Sequence, residues 1–134
     1  LFYQEVLSDF SFNVTNSYAV AFLHSLNVTQ VTLSYELTDT QIKDLIDSYH
    51  RRYQKHPNLE LVVYGYLEAM ISKYDISRNY KGNKFFLEDR FKNKYPIIIK
   101  EGLMYVYNYK KRQYNDLERF FNLGINNLRY NLEI

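Results

Sequence analysis

The stretch TDTQIKDLIDSYHRRYQKHPNLELVVY, Thr38–Tyr64, decides how the chain is read, because it holds a complete helix-to-strand unit with its boundaries marked. Thr38 followed by Gln41 has the form of a capping box, in which two side chains satisfy backbone N–H groups left open at a helix start. Ile42, Leu45, Ile46, Tyr49 and Tyr53 recur at three- and four-residue intervals and so share one buried stripe. Arg51, Arg52 and Lys55 suit the negative end of the helix dipole, and His56-Pro57-Asn58 stops the helix. Leu59–Tyr64 is then almost continuously apolar, the pattern of a strand covered on both faces.

The same rhythm extends toward the start of the chain. Phe10–Val14 reads as a strand, Asn16 or Ser17 as the cap of a helix with Ala19, Val20, Phe22, Leu23 and Leu26 on one face, and Val31–Tyr35 as the next strand. Alternating β and α segments predict βαβ units around a parallel sheet. Past Tyr64 the rhythm changes. Residues 72–83 are polar and patternless, and Lys84–Leu87, Tyr95–Ile99 and Met104–Tyr107 are three β-like runs joined by polar turns, one of them Glu101-Gly102. These predict an antiparallel meander inserted between the parallel units. Asn115 is expected to cap a last helix containing Leu117, Phe120 and Phe121, with Gly124 as its left-handed end and Leu128–Ile134 as a final strand. A weak repeat links Leu26–Val31 to Leu123–Leu128: each ends a helix on Leu, turns at a residue tolerant of positive φ, and enters a strand.

Composition narrows the chemistry. The 134 residues include no cysteine, so this stretch offers no disulfide, thiolate nucleophile or cysteine-ligated metal. A net charge of +2 argues neither for nor against nucleic acid. The 15 Tyr and 9 Phe read as the codon usage of an AT-rich genome rather than as an aromatic binding surface. No apolar run is long enough to span a bilayer and the first residues lack a signal pattern, so a cytoplasmic location is expected, with no membrane partner. No GxGxxG, GxxxxGK or HExxH motif occurs, and His24, His50 and His56 fall on helix surfaces or ends, where solvation is expected. No metal ligand set is assigned.

From Leu59 to Arg129 an ordered set of pieces resembles the collagenase-like peptidase family: Tyr64-Gly65 with Met70, Phe85-Phe86-Leu87 with Asp89-Arg90, Pro96, Tyr107-Asn108, and Leu123-Gly124-Ile125 leading to Leu128-Arg129. The resemblance implies an α/β fold: a partial TIM-type (β/α) barrel with parallel strands and helices plus the inserted antiparallel β-meander. A whole barrel needs roughly 250 residues, so residues 1–134 are expected to be a single domain cut from a longer one. Within it, 1–71 carry the βα units, 72–110 the loop and insertion, and 111–134 the last helix and strand. The resemblance also implies a nominal peptidase acting on peptide bonds, with this piece inactive alone. Other branches modify RNA bases by hydroxylation, and a non-catalytic interaction module is a third reading. Some relatives hold an iron–sulfur cluster on cysteines; here those places hold Asp75 and Arg78–Asn83, so no cofactor is expected in this segment. A peptide or RNA substrate is the expected partner of the full protein, and pairing of exposed barrel edges would make a homo-oligomer.

In such barrels ligands bind at the carboxyl ends of the strands. That geometry nominates Glu36 and Glu133 as paired carboxylates for acid/base work or for a metal, with Arg129 as an anion-binding fork. The competing account makes both glutamates capping residues and Arg129 a structural ion pair. Asn13, Tyr66 and Glu68 are nominated to face the same mouth. Lys110, Lys111 and Arg112, flanked by Tyr105, Tyr107, Tyr109 and Tyr114, form a basic-aromatic cluster suited to bases and phosphates; a solvated turn is the alternative.

Overall fold

The structure, a computed structural model, describes residues 4–82 and 84–132. In chain order its strands are β1 (Val6–Ser8), β2 (Val28–Thr32), β3 (Leu59–Gly65), β4 (Glu68–Ser72), β5 (Phe85–Glu88), β6 (Lys94–Lys100), β7 (Leu103–Tyr107), β8 (Arg112–Gln113) and β9 (Asn127–Tyr130). The helices are α1 (Ser17–Ser25), α2 (Asp39–Tyr53) and α3 (Glu118–Leu123). The described residues fall into two compact units, one running to Val63 and resuming over Tyr114–Asn131, the other comprising Tyr64–Gln113 with Leu132.

In the first unit β1, β2 and β3 pair parallel and in order, with Leu7 opposite Gln30, Val31 opposite Leu59 and Thr32 opposite Glu60; β9 also pairs with β3. Parallel neighbours need crossovers, which α1 and α2 supply. Because strand side chains alternate, Val31, Leu33, Leu59, Leu61 and Val63 all point into one core with Val20 and Leu23 of α1, Ile42, Leu45, Ile46 and Tyr49 of α2, and Phe120 of α3. The capping box of α2 is formed as expected: Thr38 accepts from the Gln41 N–H and the Gln41 side chain from the Thr38 N–H. The predicted α2 stripe is buried except for Tyr53, which is 37% exposed and packs its ring tilted against that of Tyr49.

Of the expected α1 face, Phe22 and Leu26 stand exposed at 63% and 58%, and three segment readings fail as well, each for a local reason. Phe10–Val14 is not a strand: the Asp9 carboxylate accepts the Phe10 N–H at 2.9 Å and Phe10–Phe12 winds into a 3-10 turn, leaving Val14 to touch the sheet through a parallel bridge to Leu33. The strand lies earlier, at Val6–Ser8. The next strand begins at Val28 rather than Val31, because Asn27 takes φ 65° and returns the chain to the sheet directly after α1. Asn115 does not cap α3. The cap position is Leu117, without a side-chain bond, since the Tyr114 N–H still donates to Val63 and holds the chain on the sheet. The repeat, by contrast, is geometric as well as sequential: Gly124, equivalent to Asn27, sits at φ 110° ahead of β9.

In the second unit the strands follow the order β4-β7-β6-β5, all antiparallel, as the inserted meander predicts, with β4 as an unanticipated fourth strand. Ile97, Met104 and Val106 form its core, with Phe85, Tyr95, Ile99 and Ile76 packed around them. Glu101 and Gly102 are both at positive φ (51° and 76°), as a tight two-residue hairpin requires. Pro96 is tolerated inside β6 because the β7 register begins only at Ile97 opposite Val106. β8 pairs antiparallel with the end of β3, Tyr64 opposite Gln113. Among the described residues the strands close into no barrel, and no helix is long and apolar enough to cross a membrane.

Candidate functional site

Alternation along β2 and β3 puts Gln30, Thr32 and Glu60 on the sheet face turned away from the helices. On that face, beside the fully buried Val62, the three polar side chains are wired together. Glu60 Oε1 accepts from the Thr32 hydroxyl at 2.9 Å and Oε2 from the Gln30 amide at 2.9 Å. Asn127 of β9 donates to Gln30 Oε1 at 2.6 Å. Arg129, two residues along β9, places one guanidinium nitrogen on the Asp9 carboxylate and 3.7 Å from Glu60 Oε1, while its Nε donates to Asn131 Oδ1 at 2.9 Å. Asp9 follows β1, so four strands contribute to one network. Thr32 is buried and the Glu60 side chain is 17% exposed. A carboxylate removed this far from water requires donors, which Thr32 and Gln30 supply, and a counter-charge, which Arg129 supplies at 3.7 Å. Two carboxylates against one guanidinium leave the group net negative.

Of the nominated residues, Arg129 lies in this network. Asn13 does not: it closes the 3-10 turn at φ 50°, with its N–H on the Phe10 carbonyl. Glu36 is exposed, and its backbone N–H donates to Ser34 Oγ at 3.4 Å. Glu133 lies outside the described residues. Asp9, Gln30, Thr32 and Glu60 were not nominated. Their signal was present as period two: Glu60 is the lone charge in LELVVY, and Gln30 and Thr32 alternate with Thr29, Val31 and Leu33.

The remaining nominated residues belong to the second unit. Lys111 donates to the Tyr64 hydroxyl, with its ammonium 4.1 Å from the Tyr64 ring centre and 5.9 Å from that of Tyr66. Lys110 is exposed, its N–H on Asn108 Oδ1 at 3.2 Å. Arg112 stands in β8 opposite Gly65, and Glu68 in β4 opposite Tyr107.

The histidines are structural rather than merely solvated. His24 Nδ1–H donates to the Val28 carbonyl at 2.8 Å and its Nε2 accepts the Asn58 N–H at 3.3 Å, tying α1 to the entry of β3. His50 Nε2 bonds His56 Nδ1 at 2.8 Å, and His56 Nε2 donates to the Gly124 carbonyl at 2.8 Å. Among the described residues no three His, Asp or Glu side chains gather to hold a metal.

No match to a curated protein or to a solved structure was found. The family model described as peptidase family U32 matches residues 4–129, a span that reaches into both units and takes in Asp9, Glu60 and Arg129. The chain belongs to peptidase family U32.

Proposed function

We propose that the chain forms part of the wall of a (β/α) barrel in a collagenase-like peptidase, and that the polar face of its parallel sheet holds a peptide substrate for hydrolysis. The observation that carries this is Glu60: a mostly buried carboxylate on the face away from the helices, held by Thr32, Gln30 and Arg129. In (β/α) barrels that face is the interior and strand carboxyl ends form the mouth; Thr32 ends β2 there, and Glu60, second in β3, stands opposite it. Asp9, just past the carboxyl end of β1 and 46% exposed, is the carboxylate that reaches solvent and would exchange protons with water or the leaving amine. Arg129 positions both acids. Four strands pair side by side here, half the number a barrel uses, so the remaining strands and the rest of the site are assigned to polypeptide beyond this chain. The chain alone is inactive in this reading.

The test is hydrolysis of gelatin and of short peptides by a longer form of the protein carrying Asp9→Asn or Glu60→Gln. General acid/base work by Asp9 predicts a fall in kcat of about a hundredfold or more in Asp9→Asn, and a smaller fall in Glu60→Gln, which disturbs the Arg129 that positions Asp9. Unchanged turnover in both variants would sink the assignment, and turnover by this chain alone that Glu36→Ala abolishes would move the chemistry to Glu36.

The Lys111 ammonium beside the Tyr64 and Tyr66 rings favours a second reading, RNA binding by a family member that modifies bases. It predicts steeply salt-dependent RNA binding that weakens when Lys110, Lys111 and Arg112 are neutralised.

A further inference from the structure

The two edges of the antiparallel sheet differ. The β4 edge is interrupted: its register with β7 shifts between Glu68 and Met70, and such bulges discourage pairing with another strand. The β5 edge has no such protection. Phe85, Phe86, Leu87 and Glu88 pair with Ile97, Pro96, Tyr95 and Lys94 in unbroken register, leaving the other side of β5 without a strand among the described residues. Phe86 is 51% exposed and Leu87 38% exposed.

The sequence of this edge, Lys84-Phe85-Phe86-Leu87-Glu88, is complementary to itself when reversed. In an antiparallel pair centred on Phe86, Lys84 of each copy stands opposite Glu88 of the other, Phe85 opposite Leu87, and Phe86 opposite Phe86. Alternation puts the two charge pairs and the Phe86 pair on one face. Phe85, which packs against Ile97 and its neighbours, meets Leu87 on the other and extends that core. Opposite charges and aromatic pairs directly across a ladder are the favourable cross-strand contacts.

We propose that β5 is a self-association edge, at which two copies of the chain join antiparallel about a two-fold axis at Phe86 to make one continuous eight-stranded sheet. The inference is independent of the catalytic reading, since it uses no residue of the polar face.

Sedimentation of the chain tests it. A dimer at micromolar concentration is expected, with its Kd raised about tenfold by Lys84→Glu or by Glu88→Lys, because symmetry sets each like-charge contact twice. The double variant Lys84→Glu/Glu88→Lys restores opposite charges and should return the Kd toward that of the original chain. The chain has no cysteine, so Phe86→Cys alone should cross-link rapidly under copper phenanthroline, while Leu87→Cys, diagonal to its own copy, should not. A monomer at all concentrations, single charge variants that dimerise as well as the double one, or equal cross-linking at 86 and 87 would overturn the proposal. So would a monomer whose β5 amides resist hydrogen exchange, which would assign the edge to another strand of the same polypeptide.

Discussion

Thr32 and Glu60 face each other directly across the parallel β2–β3 ladder, and their side chains are joined by a 2.9 Å hydrogen bond. The pair shows how a strand that looks apolar carries a polar site. Glu60 accepts from Thr32 and Gln30, has the Arg129 guanidinium 3.7 Å away as a counter-charge, and has no need to donate. Replacing it by Gln turns one acceptor oxygen into an NH2 that faces donors. We expect Glu60→Gln to lower stability by about 1–3 kcal/mol, read as a shift in the urea midpoint at unchanged slope. Arg129→Met should be non-additive with it, because both changes act on one network. Additive losses would mean that Arg129 and Glu60 are not coupled.

Gly124 gives a second prediction. A Cβ there would lie 3.1 Å from His56 Cε1 and 3.2 Å from Ile46 Cδ1, on backbone at φ 110°. The His56 ring cannot withdraw without releasing the Gly124 carbonyl and its link to His50. Gly124→Ala should cost about 1–3 kcal/mol in thermal or chemical unfolding. Gly102, also at positive φ but with open space around it, is the control: Gly102→Ala should cost only the backbone part, about 1 kcal/mol. Equal losses at the two sites would show that backbone conformation, not the His56 contact, sets the cost.

Helix starts give the third. The α2 capping box should make Thr38→Ala cost about 1 kcal/mol, whereas Asn115→Ala, at a position that caps nothing, should be within a few tenths. Circular dichroism during urea unfolding separates them. A loss at Asn115 equal to that at Thr38 would restore the cap expected from sequence.

These contrasts show what the sequence made legible. α2 and β3 were readable because capping, periodicity and a breaker agreed over Thr38–Tyr64, and the meander because its turns carry residues suited to positive φ. Phe10–Val14 misled because turn chemistry at Asp9 and Asn13 outweighs a β-like run of five residues. β4 went unread because Glu68–Ser72 has little apolar alternation and owes its strand geometry to β7, more than thirty residues away. The site was half legible for the same reason. Arg129 stood out as a charge beside a strand end, but its partners Asp9 and Glu60 are 120 and 69 residues distant, and only the assembly of β1, β2, β3 and β9 into one sheet brings them together.

The loop between β5 and β6 yields a pH prediction. The Asp89 carboxylate accepts from the Asn93 amide at 2.8 Å, the Asn93 N–H at 3.0 Å, the Phe91 N–H at 2.8 Å and the Tyr95 hydroxyl at 3.3 Å. These bonds, the Asn93 side chain first, favour the ionised form and hold the Asp89 pKa below the ordinary value of 3.8. A carboxyl whose folded pKa is depressed contributes stability above its unfolded value, and that contribution disappears as pH falls through the folded value. The advantage of the original chain over Asp89→Asn should therefore be constant at neutral pH and shrink below about pH 4. Tyr95 runs the other way: burial first, and then the Asp89 charge, raise its pKa above 10.0. Its contribution is present below the unfolded value and lost as pH rises through the folded one. Carbon-detected NMR of the Asp89 carboxyl, together with urea midpoints at several pH values, checks both statements. A difference between the original chain and Asp89→Asn that persists unchanged into strong acid would mean that the four bonds to Asp89 do not depend on its charge.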